Sequence, residues 1–278
     1  MEVNRMHYPV ALMCRVYGVT RAGYYAWLGR MPSQREQENA SLSSQIKQVH
    51  EASRGTYGSP RIYRKLQQQG VAVSENRVAR LMSQLGLKGR WATLRYTSPS
   101  LKKFYGSLPN QQIDHPAAAP NQVWVADITY LKVGAIYRYL AVVMDRCSRR
   151  IIGWAFGQKK NAALTLRALN NAVSKRRPQA GLIFHTDRGS EYYAKVFRAR
   201  LKQLNIIQSM IRPGKVTDNA FMESFFHSMK ADVIHGNKFK EDSQMLSVLK
   251  SYIPFYNHSR IHSSLNYVSP ATYENLLA

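Results

Sequence analysis

The chain has 278 residues, of which 40 are Lys or Arg and only 16 are Asp or Glu, a formal net charge of +24. A charge so large and single-signed favours a polyanionic partner such as nucleic acid. No apolar run approaches about 18 residues and MEVNRMHYPV lacks a signal peptide's order of basic and apolar regions, so neither a membrane span nor secretion is expected. Cys14 and Cys147 lie far apart and outside any CxxC pair, which argues against a disulfide framework and a zinc finger.

Residues 8–28 (YPVALMCRVYGVTRAGYYAWL) predict two short helices around Gly18, the second capped by Thr20. Residues 42–85 carry a clearer helical pattern in three pieces. Ser59 before Pro60 and Ser74 before Glu75 serve as caps, and Gly70 and Gly86 as stops. Three helices of this size, the last one basic, suit a helix-turn-helix module. Asn76, Arg77 and Arg80 then point outward toward DNA, over a buried stripe of Val78, Leu81, Met82 and Leu85. Residues 97–121, with four prolines and no sustained period, form a linker or extended arm.

Beyond it the pattern changes to strands. QVWVADITYLKV, IYRYLAVVMD and RIIGWAFG are three β-rich runs with short breaks, which predicts consecutive antiparallel strands. An amphipathic helix follows from the cap Asn161, with Leu164, Ala168, Leu169 and Ala172 on one face. A short buried strand, LIFHTD, leads to a helix over about 194–204, a strand near IIQSM and a long helix through FMESFFHSMK. Three strands followed by alternating helix and strand describe an α/β protein, a mixed sheet with flanking helices of the ribonuclease-H-like order, preceded by a small all-α region.

Acids are scarce here, so their placement is informative. Asp127 interrupts the apolar run VWVADITYL, and Asp187 ends LIFHTD. An ionised carboxylate buried without a partner is costly, so two strands that each carry an Asp where packing prefers Val suggest convergence on a cation. Glu223 is the third candidate. On one helix Asn219, Glu223 and Lys230 share a face while Phe221, Phe225 and Met229 cover another, with Thr217 or Asp218 as the cap. Taken singly, each acid has a plain structural explanation. Asp145, at the end of the second strand, is expected to pair with Arg146 or Arg149, and His185 is expected to be a structural strand-end residue.

WVADITY, HTDRGSEY and DNAFMESFFHSMK, with 35 residues between Asp187 and Glu223, resemble the Asp, Asp, 35, Glu signature of retroviral integrases and insertion-sequence transposases. YGSPRIYRKL at 57–66 and YNHSRIHSSLNYVSPATY at 256–273 extend the likeness over nearly the whole chain, to the second-reading-frame transposase of two-frame bacterial insertion sequences. The resemblance implies that Asp127, Asp187 and Glu223 hold two divalent ions, normally Mg²⁺ with Mn²⁺ able to substitute. Paired hard cations about 3.5 to 4 Å apart take oxygen ligands and serve both the attacking and the leaving oxygen.

The implied chemistry is hydrolysis of a DNA phosphodiester at the element's end, then attack of the freed 3′-hydroxyl on another phosphodiester. Lys230 and Asn219 would contact DNA or orient Glu223, and Arg188, Arg260 and His262 would contact phosphate. The expected partners are the terminal repeats, target DNA, further copies of the chain and an upstream-frame protein supplied by fusion or association. The setting is a bacterial cytoplasm, at the nucleoid. The chain divides into an N-terminal helical segment (1–40), a helix-turn-helix-like domain (41–96), a linker (97–121) and an integrase-like core with a C-terminal extension (122–278). Two other readings are a ribonuclease-H-like nuclease that cuts without joining and a non-catalytic DNA-binding regulator of transposition. Strand joining separates the first from the transposase, and loss of function on Glu223→Gln separates both enzymes from the regulator.

Overall fold

The computed structural model describes residues 1–90, 108–113, 115–212 and 216–277, so residues 97–107 and 114 of the expected linker lie outside the described residues. The chain opens with two short helices, α1 (Val10–Val16) and α2 (Arg21–Leu28). Thr20 caps α2, its hydroxyl accepting from the Gly23 N–H at 3.0 Å. They bury Met13, Cys14 and Tyr24 and leave Tyr25 and Trp27 exposed.

Three helices follow: α3 (Gln34–Ala52), α4 (Ser59–Gln68) and α5 (Glu75–Gln84). α3 starts earlier than its apolar pattern indicates because Ser33 and Glu36 form a capping box that satisfies both ends of the first turn. In α4 the cap is Gly58, with Ser59 already the first helical residue. Ser74 caps α5 as expected, and Gly70 and Gly86 adopt positive φ just past the ends of α4 and α5, where a side chain would be strained. Ile46, Ile62, Leu66, Val78, Leu81 and Met82 form the core of this unit, with Leu85 only half-buried at its margin.

Five strands make one sheet: β1 (Val123–Val133), β2 (Ile136–Asp145), β3 (Ile151–Gly157), β4 (Ile183–Thr186) and β5 (Ile207–Met210). Their order is β3-β2-β1-β4-β5, antiparallel from β3 to β1 and parallel from β1 to β5. This is the mixed ribonuclease-H-like sheet expected of the sequence. The alternation of β1 splits the core in two. Val123 and Val125 face α9 (Ala220–Met229) and α10 (Asp242–His258), whereas Trp124 and Ala126 face α6 (Ala162–Arg176), α7 (Ser190–Tyr193) and α8 (Lys195–Gln203).

The helix that carries Glu223 differs from expectation at both ends. The helix through FMESFFHSMK ends at Met229, where the chain passes into a π-helical turn, Lys230–Ile234. The expected Thr217 or Asp218 cap is replaced by Asn219 at the N-cap position, because a 3-10 turn, Val216–Asn219, precedes the helix. Past the turn, α10 runs seventeen residues through an internal Pro254, and α11 (Pro270–Leu276) closes the chain.

Candidate active site

β1 and β4 are parallel neighbours whose last register pair is Ala126 with Thr186, so Asp127 and Asp187 follow side by side. By alternation Asp127 belongs to the face of β1 that α9 covers. Asp127 Oδ1 accepts from the Ile128 N–H at 2.7 Å, and Asp187 Oδ1 from the Gly189 N–H at 3.0 Å, which helps to fix both carboxylates. Gly189 leaves room for two carboxylates. A Cβ there would lie 2.5 Å from Glu191 Oε2 and 2.9 Å from Asp187 Oδ1.

α9 reaches the pair from its N-terminus. The buried Asn219 amide donates to the Ala126 carbonyl at 3.2 Å, one residue before Asp127, and Glu223 follows one helical turn on. Partial burial raises the Glu223 carboxyl above its ordinary pKa. Lys230 lies beyond the end of α9 with Nζ 4.8 Å from the centre of the Tyr130 ring on β1. Burial lowers its pKa, while Asp127 pulls in the opposite direction. The structure therefore gathers Asn219, Lys230 and the two aspartates around the middle of β1, where its pairing with β4 stops. Glu223 stands at the edge, and among the described residues no three His, Cys, Asp or Glu side chains are close enough to hold a metal ion. The donor set still suits a divalent cation: two hard oxygen donors from neighbouring strands, where the β1–β4 pairing ends, with a third carboxylate on the helix anchored beside them.

Three residues of this neighbourhood, Glu191, Lys160 and Tyr192, are not among the candidates the sequence offers. Glu191, buried in α7, receives Lys160 Nζ at 2.7 Å from the loop between β3 and α6. Burial works to lower the Lys160 pKa, but Glu191, Asp187 and Asp127 outweigh it and hold it above the ordinary value. The fully buried Tyr192 hydroxyl is pushed well up by burial and by Asp127, Asp187 and Glu191 together. Glu191 stands in HTDRGSEY, but a four-residue helix has no periodicity that could mark it as inward-facing.

Several expected contacts are corrected. Arg260 is buried, its Nε 2.6 Å from Asp232 Oδ2, so it is a core ion pair and not a phosphate ligand. His262 packs edge-on against Tyr256 at 4.7 Å. Burial, then Arg260, Arg61 and Arg149, lower its pKa to about 3, which removes the charge a phosphate contact needs. Arg77 turns back onto α3, bonding Glu38 at 3.1 Å and Asn39 at 3.0 Å, whereas Asn76 and Arg80 remain exposed. Arg188 donates to the Ile211 carbonyl at 2.7 Å, tying the loop after β4 to the end of β5. Asp145 pairs with neither Arg146 nor Arg149. Its carboxylate accepts from the N–H groups of Asn121, Cys147 and Ser148, while the two arginines cover the Phe221 ring. His185 is structural as expected, buried with Nδ1 2.9 Å from the Ser209 hydroxyl.

A mixed five-stranded sheet with aspartates on neighbouring parallel strands where their pairing ends, joined to a three-helix unit, defines a polynucleotidyl-transferase core carrying a helix-turn-helix-like module. Comparison with known families agrees. Models described as "Integrase core domain" match residues 117–216 and 204–270, and one described as "HTH-like domain" matches residues 36–93. The chain is 35% identical to the transposase InsF for insertion sequence IS3A of Escherichia coli (strain K12), over 99% of this chain and 97% of that protein. It is 36% identical to the transposase for insertion sequence element IS904 of Lactococcus lactis, over 88% and 98%. To a 31 kDa protein of insertion element IS600 of Shigella sonnei it is 38% identical, over 94% and 97%. An HTLV-2 integrase catalytic core domain in complex with magnesium aligns with 56% of this chain and 97% of its own at 17% identity and a TM-score of 0.42. The chain belongs to the IS3 family of insertion-sequence transposases, enzymes of the DDE polynucleotidyl-transferase class.

Proposed function

We propose that Asp127, Asp187 and Glu223 are the catalytic carboxylates and metal ligands of this transposase. The observation that carries the reading is that Asp127, midway along β1, and Asp187, just past β4, both directly follow the last β1–β4 register pair, with the Asn219 amide anchoring the helix of Glu223 one residue away. Divalent ions held there, Mg²⁺ or Mn²⁺ in its place, would supply Lewis-acid activation of the attacking and leaving oxygens of a DNA phosphodiester. The chain's own part is positioning. The two aspartates are fixed by backbone N–H groups, Glu223 approaches from the solvent side, and Lys230 brings a cation to the edge of the site for DNA phosphate.

The reaction is cleavage at the element's ends followed by attack of the freed 3′-hydroxyl on another strand, with no covalent enzyme intermediate. The module of α3, α4 and α5, which begins at Gln34 and not at 41, presents Asn76 and Arg80 to DNA, and the residues from 122 onward form the core with its C-terminal extension. The substrates are the element's terminal repeats and target DNA, engaged by more than one copy of the chain, fused to or partnered with an upstream-frame protein, at the bacterial nucleoid. The test is nicking and strand joining on DNA carrying the element's ends, in Mg²⁺ and in Mn²⁺. Wild type joins, whereas Asp127→Asn and Glu223→Gln, which keep shape but remove charge, lose both steps and retain DNA binding. Joining that survives Glu223→Gln overturns the assignment of that residue.

A further inference from the structure

We infer that Lys160, held by Glu191, forms a phosphate-binding subsite for the DNA strand lying across the two aspartates. The inference rests on the reading of Asp127 and Asp187 given above.

Glu191 has only 5% of its side chain exposed, yet it carries no role in the proposed catalytic set. A buried carboxylate needs a cation, and it has one in Lys160 at 2.7 Å. The lysine retains 35% exposure, so its ammonium faces Glu191 on one side and solvent on the other. An ammonium has three donors, and a single carboxylate oxygen leaves others to offer. Glu191 Oε2 and Asp187 Oδ1 flank the same point beside Gly189, 2.5 and 2.9 Å from where its Cβ would stand, so the ion pair of Lys160 sits next to Asp187.

The neighbourhood is built to keep Glu191 there. Gly189 leaves the space its Oε2 occupies, Ser190 Oγ lies 3.4 Å from the same oxygen, and the buried Tyr192 follows directly. Lys160 comes from a different segment, just before the Asn161 cap of α6, so the pair joins the β3–α6 loop to the β4–α7 turn. A lone surface lysine would swing freely, whereas this one is aimed, which is what fixing the register of a strand requires. The ligand is a phosphodiester of DNA. A free carboxylate would meet Glu191, Asp187 and Asp127 with too few donors, while a phosphate offers several oxygens to one point charge.

The experiment uses the full chain and three variants: Lys160→Met, Lys160→Arg and Glu191→Gln. Binding to a duplex carrying the element's end is measured between about 50 and 200 mM salt, where each neutralised phosphate contributes about 0.9 to the slope of log K against log salt. Mn²⁺ binding to the DNA-free chain is measured by calorimetry, and melting temperature is recorded for each variant. Lys160→Met is expected to flatten the salt slope by about 0.9 and to tighten Mn²⁺ binding several-fold, because a competing cation has gone from the carboxylate pair. Lys160→Arg is expected to restore the slope. Glu191→Gln is expected to keep the slope and weaken binding several-fold, since the charge remains but is no longer aimed.

An unchanged slope in Lys160→Met overturns the inference, and if wild type still joins strands the catalytic reading stands without it. A tightened Mn²⁺ affinity with an unchanged slope makes Lys160 a counter-ion and also overturns it. Equal losses in Lys160→Met and Lys160→Arg with equal falls in melting temperature reduce the pair to a structural tie. A wild type that neither joins strands nor shows salt-dependent binding removes both readings together.

Discussion

Asp232 and Arg260 meet 2.6 Å apart in the core, and the Tyr252 hydroxyl donates to the same Asp232 oxygen at 2.8 Å. Their side chains are 1% and 4% exposed, so removing either charge strands the other away from water. Losing one member of such a pair costs about 3–5 kcal/mol. Asp232→Asn and Arg260→Met are each expected to lower the urea unfolding free energy by that amount, and the double variant Asp232→Leu with Arg260→Met to recover most of it. A single variant that loses less than about 1 kcal/mol would show that the pair remains hydrated. At this scale the sequence is legible where chemistry is unusual and illegible where it is ordinary. An acid inside VWVADITYL stands out, so Asp127 and Asp187 can be singled out as candidates from the sequence alone. An arginine in SRIHSS looks the same whether it meets phosphate or a buried aspartate 28 residues earlier, so Arg260 and His262 are misread. Glu191 stays hidden for the same reason, its cation being supplied from another loop.

Elements are legible where a period is long enough to be seen. The strands β1 to β3, the Asn161-capped helix and the Ser74-capped helix all follow from pattern and cap. α10 does not, because Pro254 interrupts its pattern while the helix continues around it, and nothing in KADVI marks a π-helical turn. The glycine in RIIGWAFG is equally silent in sequence. In the fold Gly153 lies against α6, and a Cβ there would strike the Ala168 carbonyl and the Ala172 side chain and N–H. That contact explains how α6 packs so closely on β3. Because backbone atoms cannot swing aside, Gly153→Ala is expected to destabilise the chain by about 1–3 kcal/mol, seen as a lower urea midpoint with an unchanged m-value. A neutral Gly153→Ala would mean that α6 has room to lift from the sheet.

Across the whole molecule, the two motifs that extend the family likeness beyond the carboxylates turn out to touch. The Tyr57 hydroxyl, in YGSPRIYRKL, donates to the Ser259 carbonyl at 3.1 Å and accepts from the Ile261 N–H at 2.8 Å, both in YNHSRIHSSLNYVSPATY. Ile261 completes the core of the three-helix unit, the Arg64 guanidinium lies 5.1 Å from the Tyr267 ring centre, and Arg90 reaches the Asp232 carbonyl. The helix-turn-helix-like module is thus seated on the C-terminal extension of the core, and DNA held by one is placed relative to the other by this seam. One hydroxyl serves two backbone groups there, and leaving a buried N–H without an acceptor costs about 1–3 kcal/mol. Tyr57→Phe keeps the ring, so it removes those bonds alone. Calorimetry is expected to show wild type melting in one transition and Tyr57→Phe in a broader or divided one, with the salt slope of DNA binding retained because no phosphate contact is lost. Strand joining should fall while DNA binding persists, since the variant loosens the spacing between the helix-turn-helix-like module and the carboxylates proposed as catalytic. Two transitions already present in wild type would mean that the seam is too weak to transmit position, and the gripping and cutting parts would then have to be aligned by the DNA itself.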